Sequence, residues 1–151
     1  MTDRPNALTT TSGPIRIATW LGLLGLCAAY LQGGLQKLLD FEGAIREMRH
    51  FGLAPEAPMA AAVIALELGA SAMILLGYKR WLGSLALAAF TLMATFMANR
   101  YWVLPPGPER FMTANGFFEH LGLVGAFCLV AIWDRTNTPH GLTASQIGKA
   151  P

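Results

Sequence analysis

Uncharged stretches of about twenty residues alternate with short charged segments along most of this chain. Ile17–Gln36 holds twenty uncharged residues between Arg16 and Lys37. Ala57–Tyr78 holds twenty-two residues with a single charge, Glu67. Trp81–Asn99 holds nineteen between Arg80 and Arg100. Stretches of this length and polarity predict bilayer-spanning helices. The fourth stretch is shorter. Only the thirteen residues Leu121–Trp133 are free of charge and histidine, too few to cross a bilayer. The fourth helix must therefore begin earlier, near Asn115, with Asn115 as its N-cap and Glu119 near the positive end of the helix dipole. Trp81, Trp102 and Trp133 fall at ends of these stretches and Trp20 near the start of the first. Tryptophan favours the membrane–water interface, because its ring is apolar and its N–H is not.

The connecting segments carry their own patterns. Within residues 41–51, Phe41, Ile45 and Met48 recur at helical spacing, while Glu42, Arg46 and Arg49 take the other face; Gly52 and Pro55 end the run. This predicts a short amphipathic helix in the interface. Pro105-Pro106-Gly107-Pro108 predicts a stiff turn. Residues 1–13 and 136–151 read as poorly ordered tails flanking one membrane domain, residues 14–135. Arg16 precedes an apolar run too long for a signal peptide, so the first helix reads as uncleaved. The predicted fold class is all-α integral membrane: a four-transmembrane-helix bundle with a short amphipathic helix between helices 1 and 2. Four spans put both termini on one side. The doublet Lys79-Arg80 in the tight second turn places that side in the cytoplasm.

Composition strengthens the membrane reading. The chain is 54% hydrophobic and 13% charged, against about a quarter charged in soluble domains. A formal charge of +2, with basic residues at helix ends and no basic patch, gives no reason to expect nucleic acid. Cys27 and Cys128 both lie in apolar runs and form no Cys-x-x-Cys, so a self-contained dithiol motif is absent. One intramembrane histidine, His120, cannot supply two axial haem ligands within one chain. No carboxylate–histidine spacing suggests a metal site, and no phosphate-cradling glycine loop or nucleophile elbow occurs.

Polar groups at membrane depth then become the candidates. A carboxylate near the centre of a span costs several kcal/mol, roughly 3, unless it is paired, protonated or facing a wet cavity. Glu67 is therefore the first candidate, as a group exchanging protons. Helix rise places Gln32, Thr95 and His120 toward the outer side of their spans, with Gln36, Lys37, Asn99, Arg100 and Glu119 further out. Gln32, Gln36, Lys37, Asn99, Arg100, Glu119 and His120 are the candidate ligand-binding residues. Small residues mark inward faces, because they let backbones approach closely. They select Gly25, Ala29, Gln32 and Gln36 on the first helix. On the second they select Ala60, Ile64, Glu67 and Ser71, and on the third Ser84, Ala88, Thr91, Thr95 and Asn99. On the fourth, Glu119 and His120 lie on different faces and either could point inward. Each group also has a structural reading: Lys37 and Arg100 as snorkelling charges, the glutamines and Asn99 as interhelical glue, and Glu119 as a helix-end anion.

Several fragments occur in a telling order: Gly33-Gly34-Leu35-Gln36-Lys37-Leu38, Phe51-Gly52-Leu53-Ala54-Pro55, Ala65-Leu66-Glu67-Leu68-Gly69 and Leu76-Gly77-Tyr78-Lys79-Arg80. They continue through Pro106-Gly107-Pro108-Glu109-Arg110-Phe111 and Gly116-Phe117-Phe118-Glu119-His120-Leu121. Over roughly residues 15–133 the chain resembles the DoxX family of small four-helix membrane proteins. The resemblance implies a bundle in the bacterial inner membrane, with Gly34, Lys37, Glu67 and Arg80 on the family pattern. It departs at Glu119-His120, where a Lys-Asn pair often stands, and at Asn99-Arg100, where a histidine often precedes the aromatic pair. It also implies quinone-linked redox work, because the family name derives from a subunit of a quinol oxidase.

Three functional expectations follow. The first is a small redox-associated subunit that binds a quinone or quinol, with no covalent cofactor, and acts with a partner redox enzyme. The second is a non-enzymatic scaffold or assembly factor whose polar layer fixes helix pairing. The third is a small-molecule transporter, which would need the homo-oligomer to be a dimer, with no inverted repeat in sight.

Overall fold

A computed structural model describes residues 13–137. They form five α-helices: α1 Gly13–Leu39, α2 Phe41–His50, α3 Glu56–Leu76, α4 Arg80–Ala98 and α5 Pro108–Asn137, with a single 3₁₀ turn at Tyr101–Val103 between α4 and α5. Helices α1, α3 and α5 are long and apolar enough to cross a membrane, as is α4 with the turn that follows it. The chain is thus a four-helix membrane bundle with one short extra helix. The expected tails lie almost wholly outside the described residues, though Gly13 already opens α1.

The first and last helices are longer than the sequence reading. α1 runs from Gly13 past Lys37 to Leu39, and α5 begins at Pro108 instead of near Asn115 and continues to Asn137. Proline fits a first helical position, where its missing N–H costs nothing. A 30-residue helix is about 45 Å long, more than the ~30 Å hydrocarbon layer. Its first turns therefore tolerate Glu109 and Arg110. Asp40 caps α2, its Oδ1 accepting from the Gly43 N–H at 2.9 Å, as a short polar side chain does at an N-cap. Gly77 closes α3 with a φ of 74°, the left-handed conformation glycine adopts without strain.

Packing runs α1 on α3, α3 on α4, and α4 most extensively on α5. α1 and α5 meet by Tyr30 and Phe127, whose rings stack edge-on at 5.4 Å. Leu23, Cys27, Tyr30, Ile74, Leu87 and Phe127 form the main core. α2 does not stand alone. Its Ala44 and Met48 are buried against Ala60 of α3, while Phe41 remains exposed.

Two glycines set the bundle's shape. A Cβ on Gly34 would lie 2.8 Å from Leu68, and one on Gly83 would lie 2.8 Å from the backbone oxygen of Ala70. α1 and α4 thus touch α3 at near-contact distance, the small-residue packing membrane bundles use. The α3–α4 contact sits beside their connecting turn.

That same end of the bundle carries a cap the sequence did not suggest. Lys79 offers α4 no side-chain cap. Instead Asp134 of α5 accepts the Trp81 N–H at 3.0 Å and sits 3.7 Å from Arg80 Nη1. A carboxylate suits a helix N-terminus. Asp134→Ala is expected to destabilise the bundle by about 1–3 kcal/mol, because it strands a half-buried donor. A thermal melt in detergent that matches the parent protein would refute this.

Candidate functional site

Glu67 projects from the middle of α3 and is buried, with 7% of its side chain exposed. Its partner comes from α1. Lys37 Nζ lies 3.3 Å from Oε1 and 3.4 Å from Oε2, with 16% of its side chain exposed. Gly33, one turn before Lys37, leaves room for this meeting, since even a Cβ there would touch both Nζ and the carboxylate. On its other side Lys37 is 3.9 Å from Glu47 of α2, which is more exposed. One ammonium therefore links a deep carboxylate to a shallow one. The three groups carry one net negative charge when all are ionised.

His120 approaches from α5. Its Nδ1 lies 2.6 Å from the Gly116 carbonyl oxygen. A carbonyl only accepts, so Nδ1 carries the proton and Nε2 is the basic nitrogen of the neutral ring. Among the described residues Nε2 makes no hydrogen bond. The Asn99 amide nitrogen lies 3.4 Å from His120 Nδ1, a contact between two donors and not a hydrogen bond, and donates to Thr95 Oγ1 at 3.2 Å. Deeper in the bundle the Tyr30 hydroxyl bonds Thr91 Oγ1. Thr91 already donates to the Leu87 carbonyl at 2.6 Å. Tyr30 must therefore be the donor, which fixes its proton inside the core.

These groups surround a cavity of about 460 Å³. Lys37, Glu47, Glu67 and His120 form its polar end, and Tyr30 and Thr91 also reach it. The remaining wall is apolar, with Leu66, Phe90, Met93 and Met97 among its members. Met48 of α2, with Phe51 and Leu53 just beyond that helix, also line it. Ala62 of α3 and Met93 of α4 line the same space and are exposed, Met93 by 56%. The cavity therefore opens sideways between α3 and α4. The two helices touch near their turn, at Gly83, and the cavity lies further along the same pair, toward α2.

The structure sorts the sequence candidates. It brings Lys37, Glu67 and His120 together and holds Asn99 against His120. It turns Gln32 and Gln36 away. They are exposed and bond each other at 2.9 Å, on a face of α1 outside the cavity. The buried stripe of α1 is instead Leu23, Cys27, Tyr30 and Gly34; of the face read from small residues, Ala29 lines the cavity and Gly25, Gln32 and Gln36 do not. Glu119 is exposed, and of the two neighbours on α5 it is His120 that faces inward. Arg100 is exposed and lies by His50 and Phe51 in a separate surface hollow. The stripes chosen on α3 and α4 are buried through Ala60, Ile64, Glu67 and Ser71 and through Ser84, Ala88, Thr91 and Thr95. Sequence reasoning missed Tyr30 and Glu47. Tyr30 lies two turns before Lys37 and shares its face. Glu47 is exposed, beside the buried Met48 of α2.

No group of three or more His, Cys, Asp or Glu among the described residues could hold a metal ion. Cys27 and Cys128 are free thiols.

Fold and site together define a small multi-pass membrane protein: four spanning helices around a laterally open cavity with an ion pair at its polar end. The sequence profile of the DoxX family matches residues 20–100, which takes in most of α1 and all of α2 to α4, with Lys37 and Glu67. The chain belongs to the DoxX family. It is similar to the inner membrane protein YphA of Escherichia coli (strain K12), with 31% identity over 104 residues, covering 66% of this chain and 70% of YphA. No solved structure matches it.

Proposed function

We propose that this chain binds a quinone, or a similar lipophilic molecule with a carbonyl-bearing head, as the membrane subunit of a redox system in the bacterial inner membrane. The observation that carries the reading is the cavity itself. Its walls are apolar and its volume suits a ligand head. Its polar end presents a partly buried ammonium and an imidazole nitrogen with no partner among the described residues. The Lys37 ammonium donates to a ring carbonyl oxygen. His120 Nε2 accepts from the hydroxyl of a reduced head, or donates to a carbonyl once protonated.

Reducing a quinone takes two electrons and two protons. A partner redox subunit supplies the electrons. The protons come from the Glu67 side of the site, with Lys37 and the shallower Glu47 linking it to the surface. The termini lie in the cytoplasm, because Lys79 and Arg80 occupy the tight α3–α4 turn. The polar end of the cavity then lies toward the periplasm.

Quinone titration of the purified protein in mild detergent tests this. Binding should weaken at least tenfold in His120→Ala, the cost of one good hydrogen bond to a charged or polar head, about 1.4 kcal/mol. Glu67→Gln should weaken it comparably by loosening Lys37. Equal affinity for both variants and the parent protein would remove this site from consideration.

A further inference from the structure

The other end of the bundle holds a second hollow, of about 700 Å³, between α1, α4 and α5. Arg16, Thr19, Trp20, Arg80 and Trp133 line it. Arg80 is locked in place. Its Nε donates to the Ile74 carbonyl at 2.9 Å, its Nη1 is 3.7 Å from Asp134, and its guanidinium stacks 5.7 Å from the Trp133 ring centre. Arg16 is different. It is exposed and has no ion pair or hydrogen bond among the described residues. Lys79 and Arg135 at this end each cover an aromatic ring, Tyr78 and Trp81.

Four described basic residues therefore cluster at an end where Asp134 is the one described acid close by. Trp20 and Trp133, both half exposed, mark this level as the membrane–water interface. The hollow also sits on the weakest seam of the fold, where α1 and α5 lack the close packing of the other neighbours.

We infer that this hollow binds the phosphodiester headgroup of an anionic membrane lipid, held by Arg16 and Arg80. Guanidinium groups bind phosphate through paired charge-assisted hydrogen bonds. Arg80 is preorganised, and Arg16 is the unspent donor facing it across the hollow. The indole of Trp20 and the apolar wall below it take the glycerol and the start of an acyl chain. The bound lipid fills the α1–α5 seam. Basic pockets between spanning helices recognise anionic lipids in this way. The inference stands whether or not the cavity at the opposite end binds a quinone.

Native mass spectrometry of the full chain, with phosphatidylglycerol and phosphatidylcholine titrated separately, tests it. The protein should retain phosphatidylglycerol over phosphatidylcholine, and Arg16→Gln should cut that preference about fivefold, the weight of one arginine at a membrane surface. Its melting temperature without added lipid should not change, since Arg16 pairs with nothing described. Arg46→Gln, at the opposite end, should keep the full preference. Equal retention of both lipids, or an unaltered preference in Arg16→Gln, overturns the inference. Competition by inorganic phosphate at the same concentrations as the lipid would reveal a free-anion site and overturn the lipid assignment.

Discussion

Lys37→Met is expected to cost the bundle about 3–5 kcal/mol, the usual penalty for stripping one partner from a buried ion pair. Glu67 would keep its place on α3 with no cation within reach, and Glu47 would lose its link as well. The double variant Lys37→Met/Glu67→Leu should recover most of that loss, because two apolar side chains can replace a buried pair at little or no cost. Thermal unfolding in detergent, read for all three proteins, checks the pattern. A double variant as unstable as Lys37→Met would mean that α1 and α3 depend on the charges for their alignment. Ligand binding should be lost in both variants. Recovered stability with lost binding is the result that separates a ligand site from a mere structural pair.

Gly83→Val should be the other large effect. A Cβ at this position meets a backbone oxygen at 2.8 Å, and backbone cannot swing aside as a side chain can. Overpacking of this kind costs about 1–3 kcal/mol or more. The two branches of valine add to the clash with Met73 and Ile74, which already lie near that point. The α3–α4 hairpin would be pried open at its turn. Both melting temperature and ligand affinity should fall, because both helices line the cavity. A parent-like melt for Gly83→Val would show that the helices separate freely here.

How far the sequence reached depended on how each helix hides its polar groups. α3 was legible because one charge stands in a long apolar run, and Ala60, Ile64 and Ser71 flank it at helical spacing. α4 was legible because its Ser84–Ala88–Thr91–Thr95 stripe has no competitor. α1 was not. Gly25 and Ala29 suggested one face, and Gln32 and Gln36 extended it, yet the buried face begins from Leu23 and Cys27. The two stripes are two residues out of step, which turns the helix face by about 200°. The two glutamines satisfy each other across one turn, so they need no partner inside the bundle. A pattern of residue types cannot reveal that pairing. For α5 the charges of Glu109 and Arg110 looked like a loop. They belong to a helix longer than the apolar layer is thick. The choice between Glu119 and His120 needed the relative rotation of α4 and α5, which neither sequence encodes by itself. Glu47 escaped notice because α2 was read by its apolar stripe and its most exposed charges.

The sideways mouth between Ala62 and Met93 has a consequence for any measurement of binding. A molecule that enters there leaves the acyl chains, not the aqueous phase. What governs occupancy is its mole fraction among the lipids, which for a greasy compound far exceeds its nominal molarity. A modest intrinsic affinity therefore suffices to keep the site filled in a cell. In micelles the apparent dissociation constant should rise in proportion to detergent, and titrations at several detergent levels should collapse onto one curve when plotted against ligand per amphiphile.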